Sequence, residues 1–471
     1  MKTKNLSVLI ILTLLSCSAC SFFKEKVNPP FAPGEIPQKY SIPVPKKKPT
    51  GNFWSQPFND DELKQIVDRA LSKNLSLKAA WAKLMQAKVQ AIVAGSTQWP
   101  NLTANFDPAL TKNRTNISGT GTWHNDFSLG LMSSFEIDFW GKIRAQKQSA
   151  LLELEAVGLD YQTAMISMIS EIALCWVDII SQRMQENLLN NQLETNQTYL
   201  KLVKLRFRRG MVSVLDVYQQ QQVIKSIISQ IPLIKAQEQL CLNYLAILCG
   251  EPPQKKIPVH QKTLPKLSKL PSTGVPSDLL ESRPDIQASW SRLNAANKNV
   301  WVAKANQLPS LKLTASGNLQ SDKFTNLFDF WFVRLAGNLA APILDGGRRK
   351  AETQKARTIA YQGVIHYRNT VYAALKEVED SLVMEKQYNI HLIALKQEKQ
   401  TAQKALIEAR NRYNKGLNNY LPVLTQTLIV QRLEREIIQK EAQCIRYRIQ
   451  LYRALGGRPP FQKSHHLLIE E

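Results

Sequence analysis

Arg206–Val217 reads RFRRGMVSVLDV, and Arg412–Val423 reads RYNKGLNNYLPV. Arg206, Phe207, Gly210, Leu215 and Val217 of the first stretch return at one spacing as Arg412, Tyr413, Gly416, Leu421 and Val423. Each copy lies between two long segments of helical period. A single glycine among polar residues signals a tight helix-to-helix turn, because glycine alone reaches positive φ without strain. Each stretch is therefore expected to be the tip of a helical hairpin, near residues 210 and 416.

The segment entering the first tip contains no proline from Gly141 to Arg208, and its apolar residues recur at three- and four-residue spacing: Ile166, Ile169, Ile172, Trp176, Ile180, Leu189, Leu193, Leu200 and Val203. This spacing predicts one continuous helix of roughly 100 Å at 1.5 Å per residue, too long for a globular domain and suited to a rod or tube. A return helix is expected over about Val212–Leu248, bent at Pro232. An earlier helix, capped by Asp60 and carrying Leu63, Ile66, Val67, Leu71, Leu75, Leu84 and Val93, should end before Pro100.

Between that earlier helix and the long one the period changes. Phe127, Leu129, Leu131, Ser133, Phe135, Ile137 and Phe139 alternate with Ser128, Gly130, Met132, Ser134, Glu136 and Asp138, giving a strand with one apolar and one polar face. Leu102, Ala104, Phe106 and Leu110 alternate similarly, so strands are expected at about 100–111 and 125–139. Stretches of about ten alternating residues flanked by aromatic side chains suit transmembrane β-strands; a half-buried soluble hairpin is the competing reading.

A shift of 209 residues superimposes Leu71, Ala79, Trp81, Leu84 and Pro100 on Leu280, Ala288, Trp290, Leu293 and Pro309 without a gap. The chain is an internal tandem duplication. Its second half supplies strands at about 309–320 and 328–342 and a second long hairpin. The organisation read from this is a signal peptide (1–16), an extended arm rich in proline (17–52), a first repeat (53–250), a linker (251–274), a second repeat (275–457) and a tail (458–471). The fold class is mainly α with a membrane β-barrel. Four strands cannot close a barrel, and unpaired strand edges are excluded from lipid, so closure must come from other subunits.

The N-terminus carries Lys2 and Lys4, an apolar run too short to span a bilayer, and Leu14-Leu15-Ser16-Cys17, which fits a bacterial lipobox. Cys17 is expected to be acylated, with Cys20 the alternative, and this covalent lipid is the one non-protein group expected. Cys175, Cys241, Cys249 and Cys444 have irregular spacing within helical patterns and read as small buried hydrophobes, not as a disulfide framework or metal set. The formal charge of +23 is spread over helical faces of both halves instead of forming one stripe, so no nucleic-acid partner is expected. Asp345-Gly346-Gly347-Arg348 lacks phosphate-loop spacing, and His465-His466 is too little for a metal site. With no nucleophile–base pair or carboxylate dyad at convincing spacing, catalysis is not expected.

The lipobox, Trp54–Leu63 (WSQPFNDDEL), Gly274–Ile286 (GVPSDLLESRPDI), the turns Phe139-Trp140-Gly141-Lys142 and Asp345-Gly346-Gly347-Arg348, and both tips together resemble the TolC-like outer-membrane channels, in particular their lipoprotein branch of OprM or NodT type. The resemblance covers nearly the whole mature chain. It implies a homotrimer with a twelve-stranded barrel in outer-membrane lipid and a helical tunnel in the periplasm. It also implies a periplasmic adaptor (membrane fusion protein) and an inner-membrane pump, typically of the resistance-nodulation-division class, as partners in efflux. The other function class, a periplasmic adaptor or structural coiled-coil lipoprotein, would need one hairpin flanked by β-rich domains.

By the same resemblance Asp216, six residues after the first tip glycine, and Tyr413, three before the second, link neighbouring hairpins in a periplasmic gate. Arg206 and Arg412 stand nearby as charged partners, with Asn418 and Leu421 completing the ring at the second tip. Gly210, Ser213, Gly416 and Asn419 are the expected adaptor contacts. The alternative for Asp216 is a plain helix cap. In the barrel, Leu131, Phe135 and Leu335 are expected to face lipid, and Glu136, Asp138, Arg334 and Asn338 the lumen or interface.

Overall fold

A computed structural model describes residues 31, 35–42, 60–113, 121–267, 270, 271 and 273–456. Cys17, Cys20, the signal segment and the tail with His465-His466 lie outside the described residues. One compact unit, Gln38–Glu471, holds every helix and strand described.

The chain starts with α1 (Asp61–Lys73) and α2 (Leu75–Ser96). The Asp60 carboxylate accepts hydrogen bonds from the backbone of Glu62 at 2.8 Å and Leu63 at 3.2 Å, satisfying two of the free N–H groups at the helix start. The single helix expected here is in fact two. Buried Asn74 ends α1 and caps α2, accepting from Leu77 N at 2.8 Å while its amide donates to Leu248 O at 2.8 Å. A side chain that satisfies both a new helix start and a distant carbonyl outweighs the continuous apolar period.

Next come β1 (Asn101–Asn113), β2 (Thr122–Ile137), α3 (Lys142–Arg208) and α4 (Val214–Leu248). After the linker and one short turn, α5 (Leu279–Ser282), the series repeats as α6 (Pro284–Ala305), β3 (Ser310–Ser321), β4 (Trp331–Ala340), α7 (Arg348–Asn414) and α8 (Leu421–Ala454). Both α3 and α7 have 67 residues, or roughly 100 Å each. The return helix α4 continues through Pro232 as one element.

Two apolar cores lie at different levels of the helices. The first gathers Ile172, Trp176, Ile179 and Ile180 of α3 with Leu245 of α4, Ile449 of α8, and Ile257 and Val259 of the linker. The second, toward the tips, gathers Leu189 and Val203 of α3, Val217 and Ile227 of α4, Leu395 and Leu406 of α7, and Leu433 of α8. Although α3 contains a stretch apolar enough to cross a membrane, 61% of it is buried inside the protein, which assigns that apolarity to the core. Between α3 and α8 runs a seam of buried amides: Gln185 Nε2 donates to Arg435 O at 2.6 Å, and Gln192 Nε2 to Gln431 O at 3.1 Å.

Arg448 of α8 and Glu385 of α7 form an ion pair with each side chain 2% exposed. Arg448 Nε donates to both carboxylate oxygens, at 2.9 and 3.1 Å. Removing one partner of such a pair leaves an uncompensated charge, whereas replacing both with apolar residues can be neutral. Glu385→Ala is thus expected to destabilise the protein by about 3–5 kcal/mol in reversible denaturation. Glu385→Leu combined with Arg448→Met should recover most of the loss; a double variant as unstable as Glu385→Ala would show that the pair acts by more than mutual neutralisation.

Candidate functional site

The four strands form one antiparallel sheet in the order β1-β2-β3-β4, leaving β1 and β4 as edges. Opposed residues in an antiparallel ladder point to the same face, so the register fixes what each face presents. One face carries the rows Leu102–Ser133–Ala315–Leu335, Phe106–Leu129–Leu319–Trp331 and Phe135–Leu313–Gly337. The other carries Thr103–Met132–Ser316–Arg334 and Glu136–Lys312–Asn338. The apolar face is bare within the protomer: Leu335 is 81% exposed, Val333 73% and Trp331 71%. Leu131 and Phe135 lie on it, while Glu136, Arg334 and Asn338 lie on the polar face.

Asp138 departs from its expected place in the strand. The strand β2 ends at Ile137. The Asp138 carboxylate accepts from the backbone of Ile143 at 3.0 Å and Arg144 at 2.9 Å, and so binds the start of α3, where free N–H groups and the helix dipole favour an anion. Its counterpart Asp345 does the same for α7, accepting from Gly347 N at 3.1 Å and Arg349 N at 3.3 Å. These two carboxylates turn each strand into a long helix.

At the tips the duplication extends to single hydrogen bonds. Gly210 (φ 71°) and Gly416 (φ 73°) are left-handed. Met211 N donates to Arg206 O at 3.0 Å and Leu417 N to Arg412 O at 2.9 Å, the six-to-one closure of a Schellman turn. No atom of the described residues would obstruct a Cβ at either glycine; it is the backbone conformation that favours glycine there.

The side chains at the tips differ. Ser213 Oγ accepts from Leu215 N at 3.1 Å and Asp216 Oδ2 from Ser213 N at 3.1 Å, so Asp216 forms a capping box at the start of α4. Within one protomer it is not brought onto the Tyr413 hydroxyl, which is buried without a hydrogen-bond partner among the described residues. The Tyr413 ring instead lies beneath the Arg206 guanidinium, 4.2 Å from its centroid, and 5.5 Å from the ring of Tyr420. Arg412 pairs along its own helix with Glu408 at 2.9 Å. Tyr420, which no sequence spacing marks, also joins the hairpins. Its hydroxyl donates to Gln220 Oε1 at 2.8 Å, and Gln220 Nε2 donates to Asn196 O at 2.9 Å, joining the second tip to both helices of the first hairpin. Burial pushes the Tyr420 hydroxyl well above the usual phenol range, with nearby Tyr413, Tyr199 and Asp216 adding to it, so it remains a donor. Leu417, Leu421, Met211 and Leu215 leave the tips with exposed apolar surface. Among the described residues no group of three or more His, Cys, Asp or Glu is placed to hold a metal ion.

The family model for outer membrane efflux proteins matches residues 66–251 and 275–457, one match to each repeat. The chain belongs to the outer membrane efflux protein family. It is 32% identical over 413 residues to the pyoverdine export outer membrane protein OpmQ of Pseudomonas aeruginosa, covering 86% of this chain and 87% of that one. It is 27% identical to the cation efflux system protein CusC of Escherichia coli, over 96% and 98% of the two chains. The solved structure of the outer membrane protein VceC from Vibrio cholerae superimposes with a TM-score of 0.80 at 26% identity, covering 87% of this chain and 99% of that one. The sheet is therefore the outer-membrane part of an efflux channel, and the helices build its periplasmic tunnel.

The register makes a labelling prediction. Cysteines placed at Ser128 or Asn338 should react with a water-soluble thiol reagent in intact membranes, and those at Leu131 or Leu335 should be protected by lipid. The reverse pattern would mean that the polar face is the one turned toward lipid.

Proposed function

We propose that three copies join edge to edge into a twelve-stranded barrel, forming a passive duct that receives solutes from a periplasmic adaptor and an inner-membrane pump of the resistance-nodulation-division class. The observation that carries this reading is the open sheet with one continuous bare apolar face. In lipid its two edges leave unpaired backbone groups costing several kcal/mol each, and pairing β4 of one copy with β1 of the next removes both edges. A barrel of this kind has no catalytic step of its own; transport is driven by the partner pump.

The tips close the periplasmic end in this reading. Asp216, Tyr413, Arg206, Arg412, Asn418 and Leu421 form the gate, held by contacts between copies as well as by the Arg206–Tyr413 stack within each. The exposed apolar residues around Gly210, Ser213, Gly416 and Asn419 offer the adaptor a docking surface. Asp216→Ala together with Tyr413→Phe is expected to raise single-channel conductance in planar bilayers and dye entry into cells, with an undiminished heat-sensitive trimer band on gels. If the pair served only the capping box and the core, the trimer band would weaken while surviving channels conducted as before.

The lipobox supports a second attachment to the membrane, a diacylated Cys17, with Cys20 as the alternative. Mass spectrometry of the mature protein should find a lipidated Cys17 at its N-terminus, and Cys17→Ser should block processing. An unmodified N-terminus farther along the chain would refute the anchor. The strands supply their own apolar belt, so barrel insertion should survive the substitution.

A further inference from the structure

Two of the four cysteines read from sequence as scattered core residues lie against each other. Cys175 of α3 is buried and Cys241 of α4 half-buried. The Cys175 thiol donates to the Cys241 carbonyl oxygen at 2.9 Å. The pair lines a cleft of about 280 Å³ together with Glu171, Asp178, Leu240 and Tyr244, so Cys241 can be approached from outside. Cys249 and Cys444 are buried elsewhere in the helices.

We propose that Cys175 and Cys241 form a disulfide that staples α3 to α4 in the periplasm. The compartment is oxidising, and cysteines in contact there are normally found joined. Two cysteines in contact across a helical hairpin, with access for an oxidant on one side, are placed for this chemistry. The oxidant is a protein disulfide of the thiol-oxidising catalysts of that compartment. The Cys241 thiolate attacks one sulfur of that disulfide, forming a mixed disulfide and releasing the first thiolate. Cys175 then gives up its proton to solvent and attacks the Cys241 sulfur, releasing the second. In sum, two thiols of the channel are oxidised and one disulfide of the oxidant is reduced to two thiols. The order follows from exposure: Cys241 is half-buried on the cleft wall, whereas Cys175 is buried and its thiol proton is held by the Cys241 carbonyl.

The bond would close a loop that contains the first tip. Because Cys175 lies 33 residues before the end of α3, or roughly 50 Å from the tip, the staple would fix the root of the hairpin and leave its tip free to move. The second hairpin has no equivalent pair among the described residues, since Cys444 is its one cysteine.

The test uses the full chain as it stands in the outer-membrane fraction, acid-quenched, denatured, alkylated and digested without reduction. The expected result is a linked peptide pair containing Cys175 and Cys241 with no alkyl group on either, alongside alkylated Cys249 and Cys444. Alkylated Cys175 and Cys241 in that fraction would overturn the proposal, and selecting this fraction separates that result from a failure of export. After reduction, incubation with oxidised glutathione should restore the linked pair. In Cys241→Ser, Cys175 should stay unmodified by glutathione until the protein is denatured; modification of native Cys175 at the wild-type rate would overturn the assigned order.

Discussion

Backbone hydrogen bonding in lipid is the constraint on which the rest of the structure depends. The sheet satisfies its interior ladders from β1 to β4, but among the described residues each outer strand presents a row of N–H and C=O groups with no neighbouring strand inside the protomer. No side chain can compensate for a whole row, because the penalty recurs at every residue. The apolar face cannot be covered from within either, since both long helices leave the sheet at Asp138 and Asp345 instead of folding back over it. The protomer thus behaves as one segment of a wall, and its strand alternation, bare face and abrupt strand-to-helix turns follow from that role.

The helices solve a different problem. A rod of roughly 100 Å has too much surface for one compact core. Here the apolar residues are concentrated in two clusters, with buried amides of Gln185 and Gln192 meeting carbonyls of α8 along the seam. Buried amides are stable when paired and costly when mismatched, so the seam fixes the register of the two hairpins more sharply than an apolar surface of similar size would. The Arg448–Glu385 pair acts likewise between α7 and α8. Burial of two opposite charges adds little net stability, but it penalises any axial slip that would separate them.

Most of the fold was legible because it rests on periodicity. The two-residue alternation from Phe127 to Ile137 and the helical spacing around Trp176 are local patterns, and the doubling of the chain confirms each in its second copy. What was not legible depends on partners distant in sequence. Asn74 splits a helix because Leu248 O lies beside it. Asp138 reads as one more polar residue of a strand until the start of α3 is seen to need an anion. At the tips, the glycines announced the turns, but nothing in the spacing placed Tyr413 beneath Arg206 or Tyr420 against Gln220. Cys175 and Cys241 are separated by an entire hairpin arm and return, so their contact could not be read from spacing.

The two tips have the same backbone and opposite dependencies. At the first, Ser213 and Asp216 close a capping box from residues of the turn itself, so its geometry does not require the other hairpin. At the second, Pro422 stands where Asp216 would be, and α8 starts at Leu421 without a side-chain cap. Proline is tolerated there because it lacks an N–H that would otherwise go unpaired. The stabilisation absent from the local turn comes from Tyr420, whose hydroxyl binds Gln220 across the gap between hairpins. Separating the tips, whichever of them moves, would therefore leave the first turn's own cap intact but strip a buried donor and acceptor, Tyr420 and Gln220, of each other, a cost of about 1–3 kcal/mol for each group. In the proposed gate, a partner that draws the tips apart must therefore replace what Tyr420 and Gln220 give each other.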